Sequence, residues 1–597
     1  MGTLTMNDGG PAGMKLSDTA ENALQSECPM LVLGGPGSGK TTLSLLKAKS
    51  YVPELAPEQA ILFLSFSRAA VRQVEIRCRD LLNAEERRPI EVRTYHSFAL
   101  DVLKTHGKLL NGTPPRILYP SEETLLKSRH SGPWEEEAKR LATEEGRYVF
   151  GEFASAANKL LVGSKAVAKL IADKYPVVIL DEFQDTNNFQ WELVKTLSLR
   201  SRMVFLADPD QRIFDYDKHV STERLQHLRD YLRPAEFDLG GDNHRSPNSG
   251  ILAYANAVLH NKALPAVPEV KTSCYNSDDF GTIMHLAVLK TLSGLQEEGI
   301  ERPSVAVLAR TNAMVAKVSD CLTQDHEFCG YPMEPIVHDV LWDANLTIAA
   351  SLVVASILEW TALPKEDALA QTFELIAEYF DMKNASNPKG VKYAQKSSKR
   401  LSDEAKSLKA GGKLKYKVTK HFEKAYDSEL PFTGRPADDW RRARDLLDIK
   451  TDELNVAFGD VKFVRLFRAS DQIGGCLSDL WDKHGNYINA SRLLRRPLSM
   501  QSLQSDYREP VGCSLMTVHK AKGKEFDGVV IVDGYPKSAD AFFRADAFFR
   551  AEALSSERES ARRLLRVAIT RARRHVFLVR PYSALCHWPT SNCKRES

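Results

Sequence analysis

The sequence predicts an α/β protein of doubly wound layers, in two α/β domains that each carry a mainly helical insertion. Three observations predict it. Short apolar runs recur along the chain, each bounded by Gly, Asp or Arg and followed by a helix-prone or loop segment. Runs of that length read as strands buried on both faces, and strand–helix alternation reads as a parallel sheet covered by helices. The runs form two groups, one before about residue 210 and one after about residue 300, with a helix-prone stretch interrupting each group's domain, at about 101–172 and 345–505.

The expected strands are Met30–Leu33, Ile61–Phe66, Val177–Leu180 and Met203–Ala207 in the first group. Ser304–Ala309, Ser514–Val518, Val529–Val532 and His575–Val579 make up the second. The domain boundaries that follow are 1–100 with 173–258 for the first α/β domain and 101–172 for its insertion. Residues 259–344 with 506–597 form the second, and 345–505 form its insertion. A chain of 597 residues exceeds what one hydrophobic core organises, so several domains are expected on length alone.

The first strand runs directly into Gly34-Gly35-Pro36-Gly37-Ser38-Gly39-Lys40-Thr41, which fits GxxxxGK[ST]. Glycines at these places let backbone N–H groups converge on phosphate oxygens, and the helix that follows adds its positive end. Lys40 is then the counter-charge to the β and γ phosphates, and Thr41 a ligand for Mg²⁺. The third expected strand ends in Asp181-Glu182. Carboxylates at the carboxyl end of a parallel strand are suitably placed for nucleotide chemistry. Asp181 is read as the holder of Mg²⁺, and Glu182 as the base that orients and deprotonates an attacking water.

Composition restricts the remaining possibilities. Hydrophobic residues are 43% and charged residues 27%, ordinary for a globular chain. The net charge of +3 is too small for a polycation, so any nucleic-acid surface must be a local patch. The nine cysteines form no CxxC pair, which argues against a zinc ribbon, an iron–sulfur cluster or a disulfide framework. Met1–Gly13 is polar and lacks an apolar signal core, and the apolar stretch Leu346–Leu358 is too short to span a bilayer. A cytoplasmic protein with no membrane partner is expected.

Two local features stay open. A basic tract, Lys389–Lys424, contains Gly411-Gly412 followed by Lys413, Lys415 and Lys417, and reads either as a solvated loop or as a phosphate-contacting surface. Ala-Asp-Ala-Phe-Phe-Arg occurs at 539–544 and again at 545–550. Its paired phenylalanines either pack inward or mark a contact surface.

The longer string Asp181-Glu182-Phe183-Gln184-Asp185-Thr186-Asn187 resembles motif II of UvrD/Rep/PcrA-type superfamily 1 helicases. Other segments resemble the family's motifs in the family's order. Ser65–Ala70 is similar to motif Ia, Thr94–Phe98 to the next DNA-contact motif, Ala207–Phe214 to motif III and Asn243–Ser246 to motif IV. Met516–Phe526 is similar to motif V, and Arg562–Leu564 with Val567–Ala572 to motif VI. The resemblance implies two RecA-like P-loop motor domains and an ATP-dependent DNA helicase or translocase that moves 3′ to 5′ on single-stranded DNA, in repair or recombination.

At matching positions the resemblance implies that Gln211 senses the γ-phosphate and that Arg245 and Arg571 act as arginine fingers. It places Gly523 and Glu525 at the nucleotide, with Glu525 on the ribose. It implies that Phe66, His96, Phe214, Tyr216 and His519 contact the strand, where aromatic faces stack bases at ~1–3 kcal/mol each. Any of these aromatics reads equally as core. Implied partners are ATP, Mg²⁺, single-stranded DNA and single/double-strand junctions, with a nuclease or repair factor as a further protein partner. Two alternatives share the same motor: a translocase that strips proteins from single strands, and an ATPase subunit that works with a partner nuclease in phage defence.

The sequence departs from the family's pattern around the base. Ala20 stands near the adenine-reading Gln, Thr42 where an Arg is frequent, and His244 in place of a Tyr. Tyr216 stands where Trp is usual, and Asp217 where Arg is common. The segment after Arg571 is too short for a nuclease domain, so none is expected there.

Overall fold

The computed structural model describes residues 16–130, 132–213, 219–240, 249–341, 344–386, 391–428, 430–447, 471–504, 511–543 and 551–583. The chain forms two compact units. One comprises Met1–Pro115, Gly151–Leu341 and Glu509–Ser597, and the other Arg116–Phe150 and Trp342–Arg508.

The first unit is a mixed α/β structure built on two six-stranded sheets. Across the first sheet the order is Ile90–Thr94, Ile61–Ser65, Val177–Leu180, Arg202–Ala207, Met30–Leu33, Ala235–Asp238, and every pairing is parallel. Across the second it is His338–Val340, Gly512–Thr517, Ser304–Ala309, Phe526–Val532, Ala572–Pro581, Val270–Tyr275, again all parallel. The four interior strands of each sheet are the eight apolar runs of the sequence. Val177–Leu180 and Ser304–Ala309 are buried at every residue, as strands covered by helices on both faces must be.

The edge strands are the ones that the apolar pattern does not reveal. Ile90–Thr94 and Ala235–Asp238 flank the first sheet, and His338–Val340 and Val270–Tyr275 flank the second. Ile-Glu-Val-Arg-Thr is half-buried throughout, and Ala-Glu-Phe-Asp is mostly exposed. An edge strand meets a neighbour on one side only, so polar residues are tolerated there and discourage pairing with other chains.

Each sheet has its own core. Val32, Ile61, Phe63, Ile179, Val204 and Leu206 pack with Leu43, Leu45 and Val74 from the helices Lys40–Tyr51 and Arg68–Leu81. In the second sheet Leu308, Met516, Val529, Ile531 and Leu578 pack with Leu564, Leu565 and Ala568 of the helix Ala551–Ile569. Phe542 and Phe543, from the first copy of the repeated hexapeptide, are buried in that core. The second copy lies outside the described residues.

The second unit is mainly helical. The apolar stretch of the sequence becomes the helix Ala344–Leu358, packed against Lys365–Ser386 and Ala490–Gln504. Two of its buried polar groups show the pairing that burial favours. Trp360 Nε1 donates to Thr372 Oγ1 at 2.9 Å. The fully buried Asp439 carboxylate accepts from Gly434 N at 2.8 Å and Tyr487 OH at 2.7 Å. The segment Arg116–Phe150 contributes the helices Pro120–Arg129 and Trp134–Glu144 to this unit. Residues 101–115 and 151–172 fall in the α/β unit, where the helix Phe153–Gly163 packs on Tyr95–His106.

The basic tract is largely helix rather than loop. Val391–Lys409 and Lys417–Asp427 bury Leu401, Ala405, Leu408, Val418 and Phe422, and Lys413, Lys415 and Lys417 are exposed on the turn between them and at its end. Among the described residues no helix is long and apolar enough to cross a membrane.

One buried titratable group in the second sheet's helical cover yields a stability test. His285 is fully buried in the helix Phe280–Glu297, its ring 5.2 Å from that of His326. Burial, and then the neighbouring His326, hold its pKa below the usual histidine value. The folded state therefore binds fewer protons than the unfolded chain, and this contribution is intact at neutral pH and lost as pH falls through about 6.5. The melting temperature of His285→Leu is expected to fall less steeply than that of the unsubstituted chain between about pH 7.5 and pH 5.5. Identical slopes in a thermal scan would rule this out.

Candidate nucleotide site

Because all strands of the first sheet are parallel, their carboxyl ends lie along one edge. Three loops meet there from three adjacent strands: 34–39 after Met30–Leu33, 181–187 after Val177–Leu180, and 208–213 after Arg202–Ala207. Glu525 and Arg571 stand at the amino ends of two neighbouring strands of the second sheet, where Phe526 N donates to Arg571 O at 2.9 Å. A cavity of about 450 Å³ is lined by Pro36–Leu43, Asp181, Glu182, Gln211, Gly523, Glu525 and Arg571.

The loop 34–39 has the geometry of a phosphate cradle. Gly37 and Gly39 sit at φ 77° and 88°, left-handed conformations in which a side chain is strained. Gly39 is also the cap of the helix Lys40–Tyr51. At Gly34 a Cβ would lie 2.4 Å from Ser38 Oγ and 3.1 Å from Ser38 Cβ, so a side chain at this strand-to-loop corner would displace Ser38. The Ser38 hydroxyl is buried and has no hydrogen-bond partner among the described residues. Lys40 Nζ donates to Gly34 O at 2.7 Å and Gly35 O at 3.0 Å, which holds the ammonium over the loop.

The paired carboxylates differ in environment. Asp181 accepts from Ser65 Oγ at 3.4 Å and from Glu182 N at 3.0 Å. Burial first, and the charge of Glu182 second, push its pKa up to about 7 against the pull of Lys40. Glu182 adopts φ 52°, a left-handed backbone that costs a non-glycine residue on the order of 1–3 kcal/mol. Its Oε2 accepts from Gln184 Nε2 at 2.5 Å. Oxygen donors of this kind, Asp181 and the Thr41 hydroxyl, suit a hard divalent cation such as Mg²⁺.

Gln211 joins the two sheets. Its Nε2 donates to Asp208 Oδ2 at 2.7 Å, and its Oε1 accepts from Arg571 Nη2 at 3.1 Å. Glu525 pairs with Arg573 at 3.3 Å. Gly523 has φ 76°, and a Cβ there would lie 3.0 Å from Ser67 Oγ. Ala20 and Thr42 both face the cavity, together with Leu16, Val74 and Leu239. The nearby Ser17 hydroxyl accepts from Ala20 N at 3.4 Å and so caps its own helix.

Several predicted residues lie away from this cavity. Phe66, His96 and His519 are half-buried in the same unit. Burial, aided by Arg68, lowers the His96 pKa, and burial also lowers that of His519. Lys413, Lys415 and Lys417 belong to the helical unit. Phe214, Tyr216, Asp217, His244 and Arg245 lie outside the described residues.

The structure adds two cations that the motif reading left unassigned. Lys522 is buried, ion-paired with the fully buried Asp185, and donates to Gln211 O at 2.8 Å. Arg566 is buried against Asp208. Its signal was present in the sequence as one charge inside the apolar run Leu564-Leu565-Arg566-Val567-Ala568-Ile569. A charge there must be paired when the run is buried.

A phosphate cradle at the carboxyl edge of a parallel sheet, with two acidic residues on the third strand from one side and an arginine reaching in from a second sheet, defines the P-loop class of α/β proteins. The model of the UvrD/REP helicase N-terminal domain matches residues 16–146 and 135–230, and that of the UvrD-like helicase C-terminal domain matches 482–580. The chain belongs to the UvrD/REP helicase family. It is 22% identical over 633 residues to the DNA helicase II of Rickettsia typhi, covering 94% of this chain and 91% of that protein. It is 22% identical to the ATP-dependent DNA helicase PcrA of Leuconostoc citreum, over 96% of this chain and 82% of that one. It is 24% identical to the ATP-dependent DNA helicase Rep of Escherichia coli over 45% of each chain.

Removing one member of a buried ion pair leaves the other poorly compensated. Lys522→Ala is expected to cost about 3–5 kcal/mol of stability, with much of it restored by pairing Lys522→Met with Asp185→Asn. Urea midpoints measure both, and an unshifted midpoint in Lys522→Ala would disprove the pairing's importance.

Proposed function

We propose that the chain is an ATP-driven DNA helicase with two RecA-like motor domains, moving 3′ to 5′ on single-stranded DNA in repair or recombination. The observation that carries the reading is the Arg571–Gln211 contact at 3.1 Å, which ties the second sheet to the loop beside the P-loop. A site built from both sheets couples hydrolysis to their relative movement, because losing the γ-phosphate removes a group that both sides bind.

In this mechanism the N–H groups of the loop 34–39 and the amino end of the helix Lys40–Tyr51 bind the phosphates. Lys40 exchanges its carbonyl partners for phosphate oxygens. Mg²⁺, held by Thr41 and Asp181, supplies charge neutralisation on the phosphates when bound. Glu182 orients a water and takes its proton, and Arg571 stabilises the charge that develops on the transferred phosphoryl group. Arg245 is proposed as a second arginine finger. Phe66, His96, Phe214, Tyr216 and His519 are proposed to line the strand's path.

ATP hydrolysis is expected to rise at least ~10-fold with single-stranded DNA and to fall ~10²–10⁴-fold in Glu182→Gln, the range for loss of a general base. A duplex with a 3′ tail should open and one with a 5′ tail should not. Hydrolysis indifferent to both DNA and Glu182 would refute the motor, and opening from 5′ tails alone would refute the polarity.

The exposed lysines of the helical unit are proposed to contact DNA phosphates. Replacing Lys413, Lys415 and Lys417 with Ala should weaken DNA binding. It should also flatten the slope of log affinity against log salt by about 2, since each phosphate contact on a single strand contributes about 0.7. A salt titration with an unchanged slope would leave the tract as a solvated face.

A further inference from the structure

The helix Ala551–Ile569 ends just before Arg571, yet a second arginine of that helix also reaches the site's surroundings. Arg566 lies five positions earlier, and its side chain is only 3% exposed. Its Nη1 is 3.5 Å from Asp208 Oδ2, Nη2 is 3.9 Å from Asp210 Oδ2, and Nε donates to Asn256 Oδ1 at 3.1 Å. A Cβ built on Gly35 would lie 3.5 Å from Nη2, so the guanidinium packs on the P-loop backbone from outside the cavity.

The partner of Arg566 determines what this contact does. Asp208 Oδ2 receives both Arg566 Nη1 and Gln211 Nε2, the latter at 2.7 Å. Gln211 Oε1 then accepts from Arg571. The backbone of Asp208 donates to Gln184 Oε1 at 3.1 Å, and Gln184 Nε2 donates to Glu182 Oε2 at 2.5 Å. The Asp208 carboxylate therefore links Arg566 to Gln211, whereas the path to Glu182 leaves from the Asp208 backbone through Gln184. A lysine cannot replace the arginine here, because a single ammonium does not span Asp208, Asn256 and the Gly35 backbone together as a planar fork does.

We propose that Arg566 is a positioning residue for hydrolysis: it fixes Asp208 against the back of the P-loop and so holds Gln211 in its working orientation. The helix and the residues just after it thus act on the site through two arginines, with Arg571 facing the cavity and Arg566 behind the loop. The proposal rests on the ATP-hydrolysing reading given above.

The test is steady-state ATP hydrolysis with saturating single-stranded DNA by the full chain carrying Arg566→Gln, Arg566→Lys, Gln211→Ala and the double variants with Gln211→Ala. Misorientation of reacting groups by about 1 Å costs on the order of 10²-fold in rate. Arg566→Gln is therefore expected to lose ~10²-fold in kcat, with KM for ATP within about threefold of the unsubstituted chain. Arg566→Lys keeps the buried charge paired and should fold with an unshifted near-ultraviolet circular dichroism spectrum, yet stay slow. Added to Gln211→Ala, either substitution should cost less than about twofold more, because coupled residues are not additive. Full kcat in Arg566→Lys, or a loss that multiplies with that of Gln211→Ala, overturns the proposal and leaves Arg566 as a packing residue. If Arg566→Gln does not fold, Arg566→Lys alone decides. Absence of Glu182-dependent hydrolysis in the unsubstituted chain is a separate result, and it overturns the ATPase reading itself.

Discussion

Parallel pairing is the constraint from which the site follows. When all six strands of a sheet run the same way, every strand-to-helix loop leaves from one edge, and groups far apart in sequence are brought together without any long-range recognition of their own. Gly34–Lys40, Asp181–Glu182 and Asp208–Gln211 follow three strands that are neighbours in the sheet, Met30–Leu33, Val177–Leu180 and Arg202–Ala207. The second sheet uses the same rule in the opposite sense. It presents the amino ends of Phe526–Val532 and Ala572–Pro581, and with them Glu525 and Arg571. A single register, Phe526 opposite Ala572, sets those two side chains beside each other.

Charge then decides which parts of the site are rigid. Asp185, Asp208, Lys522 and Arg566 are all buried, and isolated charges in such places are very unfavourable. They are tolerated because the anions come from the first sheet's loops and the cations from the segment 522–566, so that each offsets another. This arrangement has a mechanical consequence. Separating the two sheets along this seam exposes or unpairs several charges at once, so the site resists partial opening. Glu182, by contrast, keeps a strained φ of 52° and a neighbouring carboxylate whose pKa is pushed up to about 7. Strain of that kind persists where surrounding structure holds it, and the Gln184 hydrogen bond is part of what holds it here.

The fold was legible in the sequence wherever burial on both faces forces an apolar run, and illegible where it does not. All eight interior strands appear as such runs. The four edge strands do not, because Ile90-Glu91-Val92-Arg93-Thr94 and Ala235-Glu236-Phe237-Asp238 face a neighbour on one side only and keep polar residues. The strand Val270–Tyr275 joins the second sheet although it precedes the second group of runs by some thirty residues, and only its pairing with Ala572–Pro581 reveals that. The basic tract misleads in the other direction. Its lysines suggested an irregular segment as one reading, yet Leu401, Ala405 and Leu408 recur at helical spacing and bury one face. In the site, the P-loop and the acidic pair could be read from residue types because their chemistry is local. Lys522 and Arg566 could not be assigned roles, since a buried ion pair depends on partners more than three hundred positions away, at Asp185 and Asp208.

The cavity wall carries a last consequence for recognition. Around the phosphate cradle the polar groups are dense and directional, whereas Leu16, Ala20, Val74 and Leu239 offer apolar surface without donors or acceptors on their side chains. The Ser17 hydroxyl accepts from Ala20 N at 3.4 Å and keeps its own O–H as a donor, and Gln73 and Arg77 line the same cavity. Apolar surface binds a flat ring through area removed from water, a contribution that hardly distinguishes one ring from another. Hydrogen-bonding sites discriminate strongly, because a wrong ligand leaves their polar groups unpaired. In the proposed motor the phosphates therefore meet the densest set of directional contacts, Lys40, Arg571 and the backbone of the loop 34–39. That places the discriminating contacts on the groups that change during hydrolysis, which is where a motor of the proposed kind requires them.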